Sequence, residues 1–252
     1  LEGRGLVAVQ GSFLISAAIM FFGILTSPEM KKLLEKETDF DLSKLYFMNS
    51  TIGSVCGIPD CRITRCGYTG EDGVEISVDP KQAADLVERL MKSSQASVRL
   101  AGLGARDALR LEAGLCLYGN DIDENTTPIE AGIAFVVAKR RRQTKDFPGA
   151  EKIVSQLEKK NWPKRRVGII CDKGRAPRSH LPVIDPVTKA SVGVVTSGCP
   201  SPTLHKSIGM AYVDRPDSKP GRELVIDFGT KQQKITVTKM PFVPTTYYNP
   251  PK

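Results

Sequence analysis

A glutamate on a predicted β-strand is the first residue whose placement suggests chemistry. Residues 74–78 alternate apolar and polar types, which predicts a strand with Glu75 on the face away from the core. The strand follows a Gly-rich turn at 68–73, and this favours a hairpin with a strand at 62–65. A carboxylate held there can accept two parallel hydrogen bonds from a ring with adjacent N–H donors. Pattern alone favours the plainer alternative of a solvent-facing strand glutamate.

An arginine near the start of a predicted helix is the second such residue. Residues 102–110 read GLGARDALR and open a helix that we expect over 103–115. The glycines could admit a ligand close to the helix start, where Arg106 could bind a carboxylate or a carbonyl. The alternative is an ordinary surface pair of Arg106 with Asp107.

The C-terminal tail, residues 240–248, reads MPFVPTTYY. Its prolines favour an extended chain, which could lie across a surface and place a tyrosine ring against a flat ligand. A frayed terminus is the alternative.

Metal and disulfide sites are not expected. The six cysteines form no C-x-x-C pair, which argues against structural zinc and favours reduced thiols. His180 and His205 are the only histidines. The acids of residues 119–124 lack the spacing of a calcium loop, so an acidic turn is the better interpretation.

The elements that must position these residues indicate an α+β protein. An amphipathic helix is expected at 80–94, with Ala83, Leu86, Val87, Leu90 and Met91 as its apolar stripe. Thr127-Pro-Ile-Glu130 has the pattern of a helix N-terminus, and residues 149–160 predict a further helix. Five short strand-like runs between 166 and 237 predict a small antiparallel barrel or sandwich. We therefore expect two domains, residues 1–161 and 162–252.

Charge and hydropathy add two features. The chain carries +8 overall, and residues 139–178 alone carry fourteen basic and four acidic residues. That segment could attract an acidic protein or a polycarboxylate ligand, or be a solvated surface. Nucleic acid is not expected, because no nucleic-acid-binding motif accompanies the charge. The apolar run 13–25 is shorter than the roughly 20 residues of a membrane span. A buried segment or an insertion is favoured over a membrane or signal element.

Four stretches carry a resemblance to a known family. They are residues 62–77, 105–123, 195–202 and 239–245. Together they resemble the glycine cleavage system T-proteins, the aminomethyltransferases, in their mitochondrial form, from about Pro28 to the end. The resemblance implies part of the family's folate-binding fold, with a ferredoxin-like α/β layer, followed by a small antiparallel β-barrel.

The family's activity is what the resemblance implies for function. Its members transfer an aminomethyl carbon from the lipoyl arm of the H-protein to tetrahydrofolate, giving methylene-tetrahydrofolate and ammonia. The implied location is the mitochondrial matrix, and the implied partners are the lipoylated H-protein and folate. The motif positions that contact folate match Glu75, Arg106 and Tyr247. One site would then unite three residues that patterns alone mark only weakly.

The sequence departs from the family pattern in two places. The family's catalytic aspartate belongs to a long region before the segment that matches residues 6–11, so no catalytic residue is expected here. Residues 12–27 stand where the family continues directly into a proline, which predicts an insertion. We therefore hypothesise a chain that is inactive as it stands. The alternative is a non-catalytic folate-binding module. An oxidoreductase's folate-binding tail is disfavoured, because no flavin-binding glycine fingerprint occurs.

Overall fold

A computed structural model describes residues 21–26, 29–229 and 231–251. The chain divides into two compact units. Of the described residues, the first unit contains those before Arg110 and those from Pro244 onward, and the second contains those from Arg110 to Val243. The domain boundary expected near Trp162 was placed where short strand-like runs begin in the sequence, and not by compactness, so it stays a prediction.

The first unit is built on a four-stranded antiparallel sheet. Its strands are β1 (Phe21–Thr26), β2 (Ser50–Val55), β3 (Ile58–Thr64) and β4 (Gly73–Val78), in the order β1-β4-β3-β2. The predicted hairpin is present as β3 and β4, with Thr64 opposite Glu75. Val74, Ile76 and Val78 are buried as the alternation predicts. Ser77 is buried too, so the second face of β4 is also partly covered.

Strand β1 lies inside the segment that the sequence marks as an insertion. It pairs with the whole length of β4, from Phe21 opposite Val78 to Thr26 opposite Gly73. These six residues therefore extend the sheet by one strand. The rest of the segment, and the predicted strand at 6–9, lie outside the described residues. The insertion itself stays a prediction.

Two helices share a hydrophobic core with this sheet: α1 (Met30–Glu37) and α2 (Pro80–Lys92). Helix α2 begins where predicted, because the Asp79 carboxylate accepts a hydrogen bond from the Lys81 N–H at 2.8 Å. Leu86 and Leu90 are buried in the core, but Met91 is 43% exposed. One residue is about 100° of turn around a helix, so Met91 points away once Leu90 faces inward. The predicted stripe was wrong at this position.

Helix α3 (Leu103–Glu112) ends three residues before the predicted Leu115. Gly114 takes a left-handed conformation with φ +72°, and the Leu115 N–H donates to the Arg110 carbonyl at 2.9 Å. This bond spans five residues, as in a Schellman C-cap. A left-handed glycine therefore ends the helix, although its sequence pattern continues.

The helix predicted to start at Thr127 does not form. The Thr127 hydroxyl accepts the expected hydrogen bond from the Glu130 N–H at 3.2 Å, so the cap is present. The chain leaves after one turn, because Gly132 takes φ +71°. A short 3₁₀ helix follows at Ala134–Val136. The prediction was right about the cap and wrong about the helix.

Two helices lie in the basic part of the second unit, α4 (Lys139–Thr144) and α5 (Ala150–Lys159). The second of these confirms the predicted helix at 149–160. In α4 the Arg142 guanidinium donates to the carbonyls of Val137 and Ala134, at 2.8 and 2.7 Å. Part of the basic segment's charge is therefore used in local contacts, while Lys139 and Arg140 are exposed.

The second unit contains the predicted barrel. Its strands are β5 (Lys164–Cys171), β6 (Pro182–Ile184), β7 (Ser191–Ser201), β8 (Lys206–Asp214), β9 (Glu223–Asp227) and β10 (Gln232–Thr238). They close in the order β10-β5-β8-β7-β6-β9, and every pair is antiparallel. Apolar residues from these strands fill one hydrophobic cluster. The mixed α and β composition and the small antiparallel barrel confirm the expected fold class.

A buried ion pair lies in the same unit. The side chains of Arg110 and Asp121 are 2% and 0% exposed, and their Nη1 and Oδ2 atoms lie 2.5 Å apart. Asp121 also accepts hydrogen bonds from the Leu117 N–H at 2.9 Å and the Thr196 hydroxyl at 2.5 Å. The predicted acidic turn at 119–124 therefore contributes one acid to the interior.

Candidate functional site

The loop between β3 and β4, residues 65–72, is the centre of the candidate site. A bidentate ion pair joins its two ends, since the Arg65 Nε and Nη2 atoms donate to the two Asp72 carboxylate oxygens at 2.8 and 2.6 Å. Gly70 takes φ +80° within the loop. This left-handed conformation is one that glycine adopts readily, as expected for the Gly-rich turn predicted at 68–73. We call this segment the β3–β4 loop.

Glu75 lies on β4, three residues beyond this loop, and is half-buried. The Cys66 thiol, at the other end of the loop, interacts with the Glu75 carboxylate. Burial, followed by the charge of Glu75, raises the pKa of that thiol to about 12. The thiol therefore stays protonated at neutral pH, where it can act as a donor to the carboxylate.

Arg106 lies on the first turns of α3, and its guanidinium packs on a ring of the loop. The Arg106 Cζ atom is 4.5 Å from the centre of the Tyr68 ring. The Arg106 Nε atom is buried and lacks a hydrogen-bond partner within the part of the chain that the structure describes. An unmet buried donor is costly, because the desolvation of the N–H is not repaid. A ligand oxygen would satisfy it.

Tyr247 belongs to the tail, which returns to the first unit and is not frayed there. Its ring stacks on Phe47, with the ring centres 4.1 Å apart and the planes 19° from parallel. The preceding residue ties the tail to the β3–β4 loop, because the Thr246 N–H donates to the Gly70 carbonyl at 2.9 Å. Burial raises the pKa of the Tyr247 hydroxyl.

The three predicted residues thus come to one loop by separate contacts. Glu75 contacts the loop through Cys66, Arg106 through Tyr68, and the segment of Tyr247 through Gly70. A carboxylate, a guanidinium and an aromatic ring can together bind a flat heterocycle that has both donors and acceptors. That Glu75, Arg106 and Tyr247 bind a ligand together stays a prediction.

Sequence reasoning missed several residues that build this site. Tyr68 stands inside the Tyr-Thr-Gly-Glu-Asp-Gly motif, so the motif gave a signal although its role as the partner of Arg106 was not foreseen. Phe47 stacks on Tyr247 from a short loop, where no periodicity marks it. Pairing of two rings from distant segments leaves no local pattern.

A cavity of about 580 Å³ also lies in the first unit. Phe40, Leu45, Met48 and Asn49 are among its lining residues, whereas Glu75, Arg106 and Tyr247 are not. The described residues contain no cluster of three or more His, Cys, Asp or Glu side chains that could hold a metal ion. None of the helices within those same ranges has the length and hydropathy to span a membrane.

Two family models match the chain. The GCVT N-terminal domain matches residues 18–141, and the glycine cleavage T-protein C-terminal barrel domain matches residues 164–244. The chain belongs to the glycine cleavage T-protein family. The first match begins inside the predicted insertion at 12–27, and the second covers the barrel strands.

Curated T-protein relatives and a solved structure agree with this assignment. The mouse protein named "Aminomethyltransferase, mitochondrial" is 52% identical over 225 residues, which is 89% of this chain and 54% of that protein. The chicken protein of the same name is 52% identical over 250 residues, or 98% of this chain and 62% of that protein. The crystal structure of aminomethyltransferase T from Bartonella henselae superposes with a TM-score of 0.82 at 35% identity, covering 91% of this chain and 61% of that one. The chain spans little more than half the length of these relatives.

Proposed function

We propose that this chain carries the tetrahydrofolate-binding part of a glycine cleavage aminomethyltransferase. In this proposal the Glu75 carboxylate accepts hydrogen bonds from N–H donors of the pterin, and Arg106 donates to an oxygen of the ligand. The Tyr247 ring covers the heterocycle. Tetrahydrofolate is a co-substrate, which accepts the transferred carbon.

The arrangement around Arg106 carries the proposal. Its guanidinium lies over the Tyr68 ring, and its buried Nε still lacks an acceptor within the described part of the chain. A protein interior seldom leaves such a donor unmet. The group is thus prepared to meet a ligand oxygen, beside a loop that also carries the neighbours of Glu75 and Tyr247.

The reaction of the whole enzyme is proposed from the family. The aminomethyl carbon leaves the lipoyl sulfur of the H-protein and forms the methylene bridge of methylene-tetrahydrofolate, while its nitrogen leaves as ammonia and the lipoyl arm becomes the dithiol. The lipoylated H-protein is then the protein partner. The curated relatives are named as mitochondrial proteins, which supports a place in the mitochondrial matrix.

Calorimetric titration of the chain with tetrahydrofolate tests the binding site. Glu75→Ala should weaken binding by about 10- to 100-fold, because a hydrogen bond to a charged group contributes about 1.5–3 kcal/mol. Glu71→Ala is the matched control, since Glu71 is an exposed acid of the same loop and should leave the affinity unchanged. Equal affinities of the parent and the Glu75 variant would refute the site.

Ammonia release separates the enzyme from a non-catalytic folate-binding module. The chain is mixed with aminomethylated, lipoylated H-protein and tetrahydrofolate, and ammonia is measured over time. Release that depends on folate supports the transferase. Folate binding without release supports the module, and neither binding nor release would refute both.

A further inference from the structure

A fully buried arginine joins three segments of the first unit. Arg65 is 1% exposed, and two of its nitrogens bind Asp72 across the ends of the β3–β4 loop. Its Nη1 atom donates to the carbonyls of Leu42 and Leu45, at 2.9 and 2.8 Å. A buried charge is tolerated only when it is paired in this way. The segment around 42–45 and the β3–β4 loop are therefore fixed to one cation.

The tail supplies the third segment, because Tyr248 lies on the same guanidinium. The Arg65 Cζ atom is 3.9 Å from the centre of the Tyr248 ring, and that ring also stacks on Tyr46 at 5.6 Å. The Tyr248 carbonyl accepts a hydrogen bond from the Phe47 N–H at 2.7 Å. A cation over an aromatic face is attracted strongly where water is excluded. Tyr248 is thus the point at which the tail is anchored.

The neighbouring residues show what this anchor holds in place. Tyr247 stacks on Phe47, the same residue whose N–H binds the Tyr248 carbonyl. On the other side, the Thr246 N–H binds Gly70 of the β3–β4 loop. Tyr247 therefore lies between two backbone hydrogen bonds of the tail, one made by Thr246 and one by Tyr248.

We propose that Tyr248, seated on the buried Arg65 guanidinium, is a positioning residue that holds the Tyr247 ring ready for the heterocyclic ligand. This inference rests on the proposed folate site. A tail that is seated for only a fraction of the time lowers the apparent affinity by that fraction. Loss of the Tyr248 anchor should thus weaken the affinity for the ligand, although Tyr248 itself makes no contact with the ligand.

Tyr248→Leu tests the proposal, with Tyr248→Phe as the matched control. Leucine removes both the ring stack and the contact with the cation, whereas phenylalanine loses only the hydroxyl that donates to the Ser43 carbonyl at 3.3 Å. We expect Tyr248→Leu to weaken tetrahydrofolate binding about tenfold, which is the effect of a tail seated one-tenth of the time. Tyr248→Phe should bind as the parent does.

Hydrogen exchange supplies a readout that needs no ligand. The Thr246 amide should be protected in the parent and in Tyr248→Phe, and should exchange rapidly in Tyr248→Leu, while amides of β3 keep their protection. Loss of protection throughout β3 in Tyr248→Leu would mean that Tyr248 supports the fold at large, which would overturn a positioning role. Unchanged Thr246 exchange, or unchanged folate affinity in Tyr248→Leu, would overturn it as well. A parent chain that binds no tetrahydrofolate would instead refute the folate site on which the inference rests.

Discussion

Replacing Asp121 by alanine should cost more stability than any exposed substitution in the second unit. The change removes the carboxylate that pairs with Arg110 at 2.5 Å and accepts from the Leu117 N–H at 2.9 Å. The Arg110 guanidinium also donates to the Ser197 hydroxyl at 2.8 Å and to the Leu115 carbonyl at 3.2 Å. Breaking one side of a buried ion pair costs about 3–5 kcal/mol, since the remaining charge loses a carboxylate that offsets its desolvation.

Urea unfolding of the full chain, followed by circular dichroism, measures this loss. The control is Asp172→Ala, which breaks the pair with Lys206; those side chains are 72% and 48% exposed. An exposed pair contributes about 0.2–1 kcal/mol, so the control should stay close to the parent. The double variant Arg110→Met/Asp121→Leu should recover much of the loss, because apolar residues carry no desolvation penalty.

A free energy of unfolding for Asp121→Ala within about 1 kcal/mol of the parent, the range of an exposed pair, would contradict this prediction. Such a result would mean that water reaches the Arg110 guanidinium and solvates it in place of the lost carboxylate. A double variant less stable than Asp121→Ala would also contradict the prediction, since the Arg110 charge that has lost the Asp121 carboxylate would then not be the source of the destabilisation.

Two further predictions concern the pH dependence and the helix end. Because the folded-state pKa of Cys66 is raised from 9.0 to about 12, the unfolded chain releases this proton first, and the free energy of unfolding should fall as pH rises through that window. Cys66→Ala should flatten the fall by up to about 1 kcal/mol per pH unit in alkaline urea titrations, and an unchanged slope would contradict the raised pKa. Gly114→Ala should destabilise by more than the roughly 1 kcal/mol of backbone strain, because the added Cβ would lie 3.0 Å from the Met240 Cβ. Gly119→Ala has a similar φ of +87° and no atom within 4 Å, so its melting temperature should fall less; equal losses would exclude the packing contribution.

Local patterns predicted most of the regular elements, because burial of one face imposes a period on the sequence. The alternation at 74–78 and the cap at Asp79 predicted β4 and the start of α2. The strand runs after Trp162 predicted the barrel, since each strand of a small barrel alternates between its interior and solvent. Where elements end was harder to predict, as α3 shows, because the left-handed φ of Gly114 is decided by the turn that follows.

Long-range polar contacts could not be predicted from the same patterns. Asp121 stands among acids of one turn, and only the folded chain shows which acid meets a buried arginine. Arg65 has the sequence context of a strand end, although it is one of the most buried side chains described. Patterns marked the three candidate ligand-binding residues only weakly, and the family resemblance brought them together, while the aromatic rings that contact Arg106 and Tyr247 required the tertiary structure.

Closure of the barrel has a consequence for how the second unit assembles. The first strand, β5, pairs with the last one, β10, so the ring is completed only after nearly all of its sequence is available. Contacts between such distant parts of a chain slow folding, since the entropy of closing a long loop is lost before the stabilising contacts form. Loss of the final strand would also leave two unpaired edges, where a second chain could add its own strand. We therefore expect folding of this unit to be late, cooperative and sensitive to any truncation that reaches β10.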